Sequence, residues 1–364
     1  MVETKRLGDI ATYINGYAFK PDDWCKEGLP IVRIQDLTGT SYQQNYYKGD
    51  YPAKIEINDG DVLISWSASL GVHIWDRGKA LLNQHIFKVV FDKVEVDKQY
   101  FVYAVQYNLE NMLSKMHGAT MKHIVKKDFD NIEVPFPTLV EQKRVASILA
   151  YAKDAIEDRK QQLTKLDNLV KSRFVEMFGD LKSNTKGWNI NTFEELTYLI
   201  TDGEHATPRR TDKGIYLLSA RNVLNHSIQL ENVDYIDQEE YDRIAKRVIP
   251  QAGDVLISCS GTVGRCCKVP EGLKFQMVRS AALLRFKEII NPVFAEYMVT
   301  SDYLQEQINS SKTASSQANL FQGKIKALKG IVPPRELQDE FADFVVQVDK
   351  SKVAIQAALD KTQL

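Results

Sequence analysis

The feature that most constrains this fold is a long internal repeat. Residues 59–71 return as residues 252–264, and both segments contain Gly-Asp-Val-Leu-Ile-Ser at an offset of 193 residues. Repeat proteins built from small stacked units have periods of roughly 20 to 50 residues, so this spacing indicates two diverged copies of a whole domain. Further matches occur in the same order along the chain: 34–37 with 220–223, 134–137 with 332–334, and Gln142 with Gln338.

The length of 364 residues also favours two domains. Each copy contains short β-type runs, such as residues 62–66 and 255–259, separated by Gly, Asn, Asp and Pro. The predicted fold class is α+β, with two repeated α/β domains separated by long helices that form an antiparallel coiled coil. We place the boundaries as follows: a first domain at 1–140, a central helix at 141–180, a second domain at 181–334 and a C-terminal helix at 335–364.

The central helix has the pattern of a coiled-coil seam. Residues 141–178 contain no Pro or Gly, and positions spaced alternately four and three apart are mostly apolar. A repeat of 3.5 residues favours a coiled coil, whereas an amphipathic helix on a globular core would drift toward 3.6. The apolar seam positions are Val145, Leu149, Ala152, Ile156, Leu163, Leu166, Val170 and Met177.

The C-terminal helix shows the same spacing. Two seams that each follow a copy of the same domain can bury each other as an antiparallel pair, with the copies related by an approximate two-fold axis. By an offset of 196, Leu364 corresponds to Asn168, so we expect residues 169–178 to lack a partner. The seam positions of this helix are Leu337, Phe341, Phe344, Val348, Ile355 and Ala358.

Composition argues against several classes of protein. Lys plus Arg number 47 and Asp plus Glu 48, so the chain as a whole lacks a basic footprint for nucleic acid. The six histidines are isolated and the four cysteines form no C-x-x-C pair, which predicts neither a metal site nor a disulfide framework. No apolar run approaches the roughly 18 residues of a membrane span, so we expect a cytoplasmic protein without membrane contact.

Three segments approach enzyme motifs without matching them. Residues 261–268 contain glycines but lack the spacing of a phosphate-binding loop, and a turn at a strand end explains them better. Asn291-Pro292-Val293-Phe294 approaches the base-gripping motif of DNA methyltransferases, but a cap followed by a first-turn proline predicts a helix start. Glu141-Gln142-Lys143 has nuclease-like spacing, although Glu141 also suits a helix N-terminus.

With these residues in view, the chain closely resembles the specificity subunit of Type I restriction-modification systems. The resemblance is carried by residues 135–146, where a hydrophobic-proline stretch leads into Glu141-Gln142, and by residues 15–19 and 201–208 at the start of each copy. In the second copy Leu337 replaces the acidic residue before Gln338, a departure from the pattern. The resemblance implies two target-recognition domains, each binding half of a split DNA sequence, in a subunit that is not itself an enzyme.

The resemblance also implies partners. These are double-stranded DNA with a bipartite site, two methyltransferase subunits and the restriction or translocase subunits. S-adenosylmethionine, ATP and Mg²⁺ are expected only on those partner subunits, and this chain is expected to need no cofactor. Residues 1–140 carry a net charge of −2 and residues 181–334 a net charge of +2, so we expect the isolated chain to bind DNA weakly.

Candidate DNA contacts fall into two groups. Lys and Arg beside turns suit phosphates, while polar side chains at strand ends suit base edges, and a solvated face or a capped turn explains any one of them equally well. The candidate phosphate contacts are Lys122, Lys126, Lys127, Arg209 and Arg210. The candidate base contacts are Ser65, Ser67, Gln84, His85, His205, Arg221, Asn222, Ser258, Ser260 and Arg279.

Two other functions stay open from sequence alone. One is a methyltransferase or nuclease whose motifs have diverged, which binding of S-adenosylmethionine by the pure chain would reveal. The other is an interaction scaffold without DNA contact, which would show no salt-dependent binding to any duplex.

Overall fold

The structure is a computed structural model that describes residues 3–115, 126–310 and 319–363. The chain divides into two compact units, Met1–Ala155 and Ile156–Leu364. One long helix, α5, passes through the division, so each unit contains a share of it.

Within the described residues, the first unit contains ten strands, four whole helices and the beginning of α5. The strands are β1 (Thr4–Arg6), β2 (Thr12–Asn15), β3 (Leu29–Val32), β4 (Asn45–Tyr47), β5 (Glu56–Ile57), β6 (Val62–Ser65), β7 (Gly71–Ile74), β8 (Ala80–Leu82), β9 (Ile86–Val90) and β10 (Glu133–Pro135). The helices are α1 (Leu7–Ile10), α2 (Ile34–Thr38), α3 (Lys98–Lys115), α4 (Lys126–Asp130) and α5 (Leu139–Phe178), with 3₁₀ turns at Pro21–Asp23 and Ala53–Ile55.

The second unit contains the remaining elements. Its strands are β11 (Asn189–Thr192), β12 (Thr197–Asp202), β13 (Ile215–Leu218), β14 (Val223–Leu224), β15 (Ser227–Ile228), β16 (Asp234–Ile236), β17 (Val255–Ser258), β18 (Cys266–Lys268), β19 (Phe275–Met277), β20 (Ala281–Phe286) and β21 (Lys329–Val332). Its helices are α6 (Phe193–Leu196), α7 (Gln238–Ala245), α8 (Pro292–Thr300), α9 (Asp302–Ser310), α10 (Gln322–Lys326) and α11 (Arg335–Gln363), with a 3₁₀ turn at Ala220–Asn222.

Sheet topology shows that the two units are copies of one domain. The first has an antiparallel sheet in the order β2-β9-β6-β7, and the second repeats it as β12-β20-β17-β18. Each also has a second sheet, β4-β3-β8-β5 in the first unit and the smaller β16-β13-β19 in the second. One strand pair in each of these sheets is parallel, β3 with β8 and β13 with β19. The antiparallel pairs β1-β10 and β11-β21 complete the correspondence. The predicted α+β class and the predicted duplication are both confirmed.

Alternating burial along the strands builds the cores. In the first unit, one side of the β2-β9-β6-β7 sheet packs Val62 and Ile64 against helix α3, while Leu63 faces a second cluster around the β4-β3-β8-β5 sheet. In the second unit Val255 and Ile257 join a core with α8, and Leu256 faces the smaller sheet. The period of two that marked these segments in the sequence thus separates two hydrophobic layers in each copy.

Within the second unit, helices α5 and α11 pack antiparallel. Lys352 forms an ion pair with Asp167 at 2.7 Å, and Arg173 forms one with Glu340 at 2.9 Å. Arg159 donates a hydrogen bond to Thr362. Residue numbers rise along one helix as they fall along the other, which confirms the antiparallel coiled coil.

The expectation that residues 169–178 lack a partner was wrong. The ring of Phe341, near the start of α11, lies 5.3 Å from that of Phe174 and 5.6 Å from that of Phe178. In an antiparallel pair the end of one helix meets the beginning of the other, so the offset between copies does not identify the segment without a partner.

The seam itself also needs two corrections. Val145 and Leu149 are 38% and 41% exposed, so neither is buried in the seam. In α11, Val345 and Leu359 are buried although they were not predicted, while the predicted Phe344 and Ala358 are partly buried. The other predicted positions are buried or partly buried: Ala152, Ile156, Leu163, Leu166, Val170, Met177, Leu337, Phe341, Val348 and Ile355.

Among the helices that the structure describes, none is long and apolar enough to cross a membrane.

Candidate functional site

In the first unit, the candidate base contacts lie at one end of the β2-β9-β6-β7 sheet. The antiparallel register pairs Asn15 with Phe87 and Ser65 with Ile86, so the ends of β2 and β6 meet the beginning of β9. We call this the first sheet end. Four of the predicted residues lie there, namely Ser65, Ser67, Gln84 and His85.

The second unit repeats this arrangement. Asp202 pairs with Ala282 and Ser258 with Ala281, which brings the ends of β12 and β17 to the beginning of β20. We call this the second sheet end. His205, Ser258, Ser260 and Arg279 lie there, so the structure brings together eight of the fifteen predicted DNA-contacting residues at two equivalent places.

A glycine at each sheet end allows two backbone segments to touch. A Cβ atom on Gly16 would lie 2.0 Å from the carbonyl oxygen of Asn83, and one on Gly203 would lie 2.3 Å from that of Met277. Real Cβ atoms do not approach backbone so closely, so only glycine fits these positions. This explains the glycines of the two segments, 15–19 and 201–208, that carried part of the resemblance.

Three candidate base contacts are buried and hydrogen-bonded internally. Ser65 and Ser258 are fully buried, and each donates a 2.6 Å hydrogen bond to a carbonyl oxygen four residues ahead. Asn222 is also buried, where it accepts a hydrogen bond from the amide of Ser219. These side chains hold turns together, and because they are buried they are not available to contact DNA.

Other candidates are available to a ligand. Gln84 and Arg279 are exposed, while Ser67 and Ser260 are partly exposed. Within the described residues, none of these four side chains makes a hydrogen bond or an ion pair. Their donors and acceptors are therefore free to meet another molecule.

His85 is shaped by its neighbours. Its backbone has a φ of 72°, the left-handed region that costs a non-glycine residue energy. The Trp66 ring lies 4.8 Å from the imidazole, while the indole N–H donates to Asn15 at 3.2 Å. Trp66 also stacks on Phe87 at 5.5 Å, so its ring packs within the first unit.

Charged partners surround the second sheet end. Asp202 accepts a hydrogen bond from Arg247 at 2.6 Å and lies 2.7 Å from a ring nitrogen of His205. Glu204 lies 3.7 Å from Arg243, which also pairs with Glu240 at 2.8 Å. His205 is thus exposed but anchored, and its carboxylate partner was not predicted from sequence.

The candidate arginines differ in how far neighbouring carboxylates neutralise their positive charge. Arg210 and Arg221 share Asp234 at 3.0 Å and 2.7 Å, so two cations face one anion. Partial burial raises the pKa of Asp234, but hydrogen bonds from both guanidinium groups outweigh this and hold that pKa below its usual range. Arg209 instead pairs with Asp237 and Glu239.

These differences rank the arginines as phosphate contacts. A hydrogen bond with Glu239 and the charge of Asp237 raise the pKa of Arg209, but two anions already surround it. The pair Arg210 and Arg221 retains a net positive charge and therefore suits a phosphate better than Arg209 does.

The three predicted lysines have different outcomes. Lys122 lies outside the described residues. Lys126 pairs with Asp130 at 2.9 Å and lies over the Tyr13 ring, whereas Lys127 is exposed and its ammonium group has no partner within the described part of the chain.

A pair of buried glutamines was missed as structural residues. Gln142 accepts a hydrogen bond from the amide of Asp97 at 2.9 Å and donates one to Pro137 at 2.9 Å. Gln338 does the same with Asn291 and Pro333, each at 2.8 Å. The signal was present in the sequence, because both glutamines follow a Pro at the same spacing in the two copies.

The three enzyme-like segments have structural roles. Residues 261–265 join β17 to β18, and Asn291 caps α8 by accepting from the amide of Val293 at 2.8 Å. Glu141 accepts a 2.9 Å hydrogen bond from the Thr138 hydroxyl at the start of α5. Across the described ranges, no group of three or more His, Cys, Asp or Glu side chains is arranged to hold a metal ion.

Comparison with known families matches this duplicated architecture. The model of the Type I restriction modification DNA specificity domain matches residues 1–167 and matches again at residues 186–362. The chain belongs to this family. As a member of the specificity family it is a recognition component and not a catalytic one, as the sequence predicted.

Similar specificity subunits cover nearly the whole chain. The Type I restriction enzyme EcoBI specificity subunit of Escherichia coli is 24% identical over 380 residues, covering 94% of this chain and 78% of that protein. The MjaVIII specificity subunit of Methanocaldococcus jannaschii is 22% identical over 372 residues, covering 95% and 86%.

Solved structures share the fold. The S subunit of the M. genitalium Type-I restriction-modification system superposes with a TM-score of 0.58 at 14% identity, covering 99% of this chain and 92% of that one. A chain from a study of complex assembly and conformational transition in the type I R-M system gives 0.60 at 15% identity, covering 99% and 94%.

Proposed function

We propose that this chain is the DNA-specificity subunit of a Type I restriction-modification complex, in which each copy of the domain recognises one half of a bipartite target. The observation that carries the proposal is the equivalence of the two sheet ends. Both place exposed, unpartnered polar side chains on a rigid turn, and both belong to a copy matched by the specificity-domain family.

The physical division of labour follows from the side chains. Arg210, Arg221 and Lys127 are suited to phosphates, which supply affinity without sequence information. Gln84, Arg279, Ser67, Ser260, His85 and His205 carry the donors and acceptors that distinguish base edges. In this proposal the long helices α5 and α11 set the length of the unrecognised spacer between the two half-sites.

The partners supply the chemistry in this proposal. Two methyltransferase subunits bring S-adenosylmethionine, and restriction or translocase subunits bring ATP and Mg²⁺, while this chain binds double-stranded DNA in the cytoplasm. Because the chain is nearly neutral overall, its own DNA affinity is low and the methyltransferase subunits complete the grip on the duplex.

DNA binding by the assembled complex tests the proposal. The chain purified with its methyltransferase subunits should bind a duplex that carries the target in preference to a scrambled duplex, and the affinity should fall as salt rises. Equal affinity for the two duplexes, or binding that does not respond to salt, would contradict it.

A further inference from the structure

We infer that Gln84 and Arg279 occupy the same position in the two copies and specify one base pair each, Gln84 an A·T pair and Arg279 a G·C pair. The inference rests on the proposed function and adds to it a residue and a base for each half-site.

Backbone contacts establish the equivalence of the two positions. The amide of Gln84 donates to the carbonyl of Tyr17 at 2.9 Å, and the amide of Arg279 donates to the carbonyl of Glu204 at 3.0 Å. The residue that follows each one also matches. The backbone carbonyl of His85 accepts from the amide of Trp66, and the backbone carbonyl of Ser280 accepts from the amide of Cys259.

The same contacts make the position rigid. Tyr17 follows Gly16 and Glu204 follows Gly203, the two glycines at which backbone touches backbone. A side chain that leaves such a clamped turn keeps its Cα fixed when a ligand binds. Rigid placement of the contacting group reduces the entropy lost on binding, which sharpens discrimination between similar ligands.

The side chains at this position are free. Both are exposed, and neither forms a hydrogen bond or an ion pair within the described residues. By contrast, the neighbouring acidic residues Asp202 and Glu204 have their own cationic partners, Arg247 and Arg243. Arg279 therefore keeps its guanidinium available beside carboxylates that would otherwise neutralise it.

The chemistry of each side chain then selects a base. In a bidentate pair with adenine, the Gln amide N–H donates to N7 and its oxygen accepts from the N6 amino group, whereas Arg donates to both O6 and N7 of guanine. The two copies differ at this position by amide against guanidinium. The same turn is thereby used to select different base pairs in the two halves of one target.

Exchange of the two side chains tests the inference. Cells expressing the methyltransferase with wild-type chain, Gln84→Arg or Arg279→Gln would be compared by sequencing of methylated DNA. We expect Gln84→Arg to change one position of one half-site from A·T to G·C, and Arg279→Gln to make the reverse change in the other half. Gln347→Arg, at an exposed position on α11, adds the same charge and should leave the motif unaltered.

The outcomes separate this inference from the proposed function. A wild-type chain that directs no split motif would defeat the proposed function, and the base assignment with it. A split motif that is identical in wild type and both exchange variants would overturn the assignment alone. If Gln84→Arg removes all methylation, Gln84→Ala decides: loss of about tenfold discrimination at one A·T position supports the assignment, and full discrimination at every position overturns it.

Discussion

Two buried glutamines attach the long helices to their domains. Gln338 is fully buried, and its amide accepts from Asn291 while donating to Ile289 and Pro333. It thus joins the end of β21, the cap of α8 and the first turn of α11 in a single network. Gln142 serves the first copy in the same way.

Removing this amide should destabilise the second unit. Gln338→Leu keeps the volume but leaves a buried N–H and two carbonyls without their partner, so we expect the free energy of unfolding to fall by about 3 kcal/mol. Urea unfolding measures this loss. Gln347→Leu, at an exposed position of the same helix, should change it by less than about 0.5 kcal/mol, and equal effects of the two variants would refute the role.

Burial also decides which thiols react. Cys25 is exposed, whereas burial raises the pKa of Cys259 to about 12 and holds that of Cys266 well above its usual range. At pH 8 a thiol reagent should therefore label one cysteine of the native protein quickly, and Cys25→Ser should abolish that labelling. Rapid labelling of a second thiol before unfolding would contradict the buried placement.

Sequence predicts residue type at a site better than residue role. Gln84 and Arg279 were correctly placed at strand ends, and so were Ser65 and Ser258. The two serines turn out to be buried because their hydroxyls close the following turn, a contact that depends on the path of the chain over four residues. Whether a strand-end polar group points outward or bonds to its own loop is a tertiary property that a single sequence does not contain.

At the scale of elements, the coiled coil is an extension of the second core. Phe341 is fully buried and contacts Phe174, Phe178 and Tyr297, with ring centroids 5.2 to 5.6 Å apart. The polar residues along the pair, Arg173 with Glu340 and Lys352 with Asp167, fix its antiparallel register.

Truncating this aromatic should be costly. Phe341→Ala leaves a cavity among three rings, and we expect a loss of about 4 kcal/mol in the free energy of unfolding, measured by urea. Val353→Ala removes an apolar group that is 69% exposed and should have little effect. Comparable losses for the two variants would show that Phe341 is not at the centre of this packing.

The sequence predicted that the long helices exist, but it did not predict every contact between them. Long runs without Pro or Gly gave their extents, and the 3.5-residue spacing gave the coiled coil. The sequence could not distinguish Phe344 from Val345 or Ala358 from Leu359, because both alternatives keep an average spacing of 3.5 residues. Packing against α5 and the second core determines which residue of each pair is more deeply buried.

At the scale of the whole molecule, we propose that this chain recognises DNA and that partner subunits carry out the chemistry. It follows that the purified chain should not bind S-adenosylmethionine, whereas the complex with methyltransferase subunits should. Isothermal titration calorimetry of both samples checks this directly. Binding by the chain alone would favour the hypothesis that the chain is a diverged methyltransferase.

If each copy of the domain recognises one half of a target, the methylated DNA sequence should record both halves. Methylation sequencing of DNA from cells with the cognate methyltransferase should be compared with and without this chain. We expect one split motif, two short specified halves around a fixed gap, to appear only when the chain is present. An unchanged methylation pattern, or a single uninterrupted motif, would contradict it.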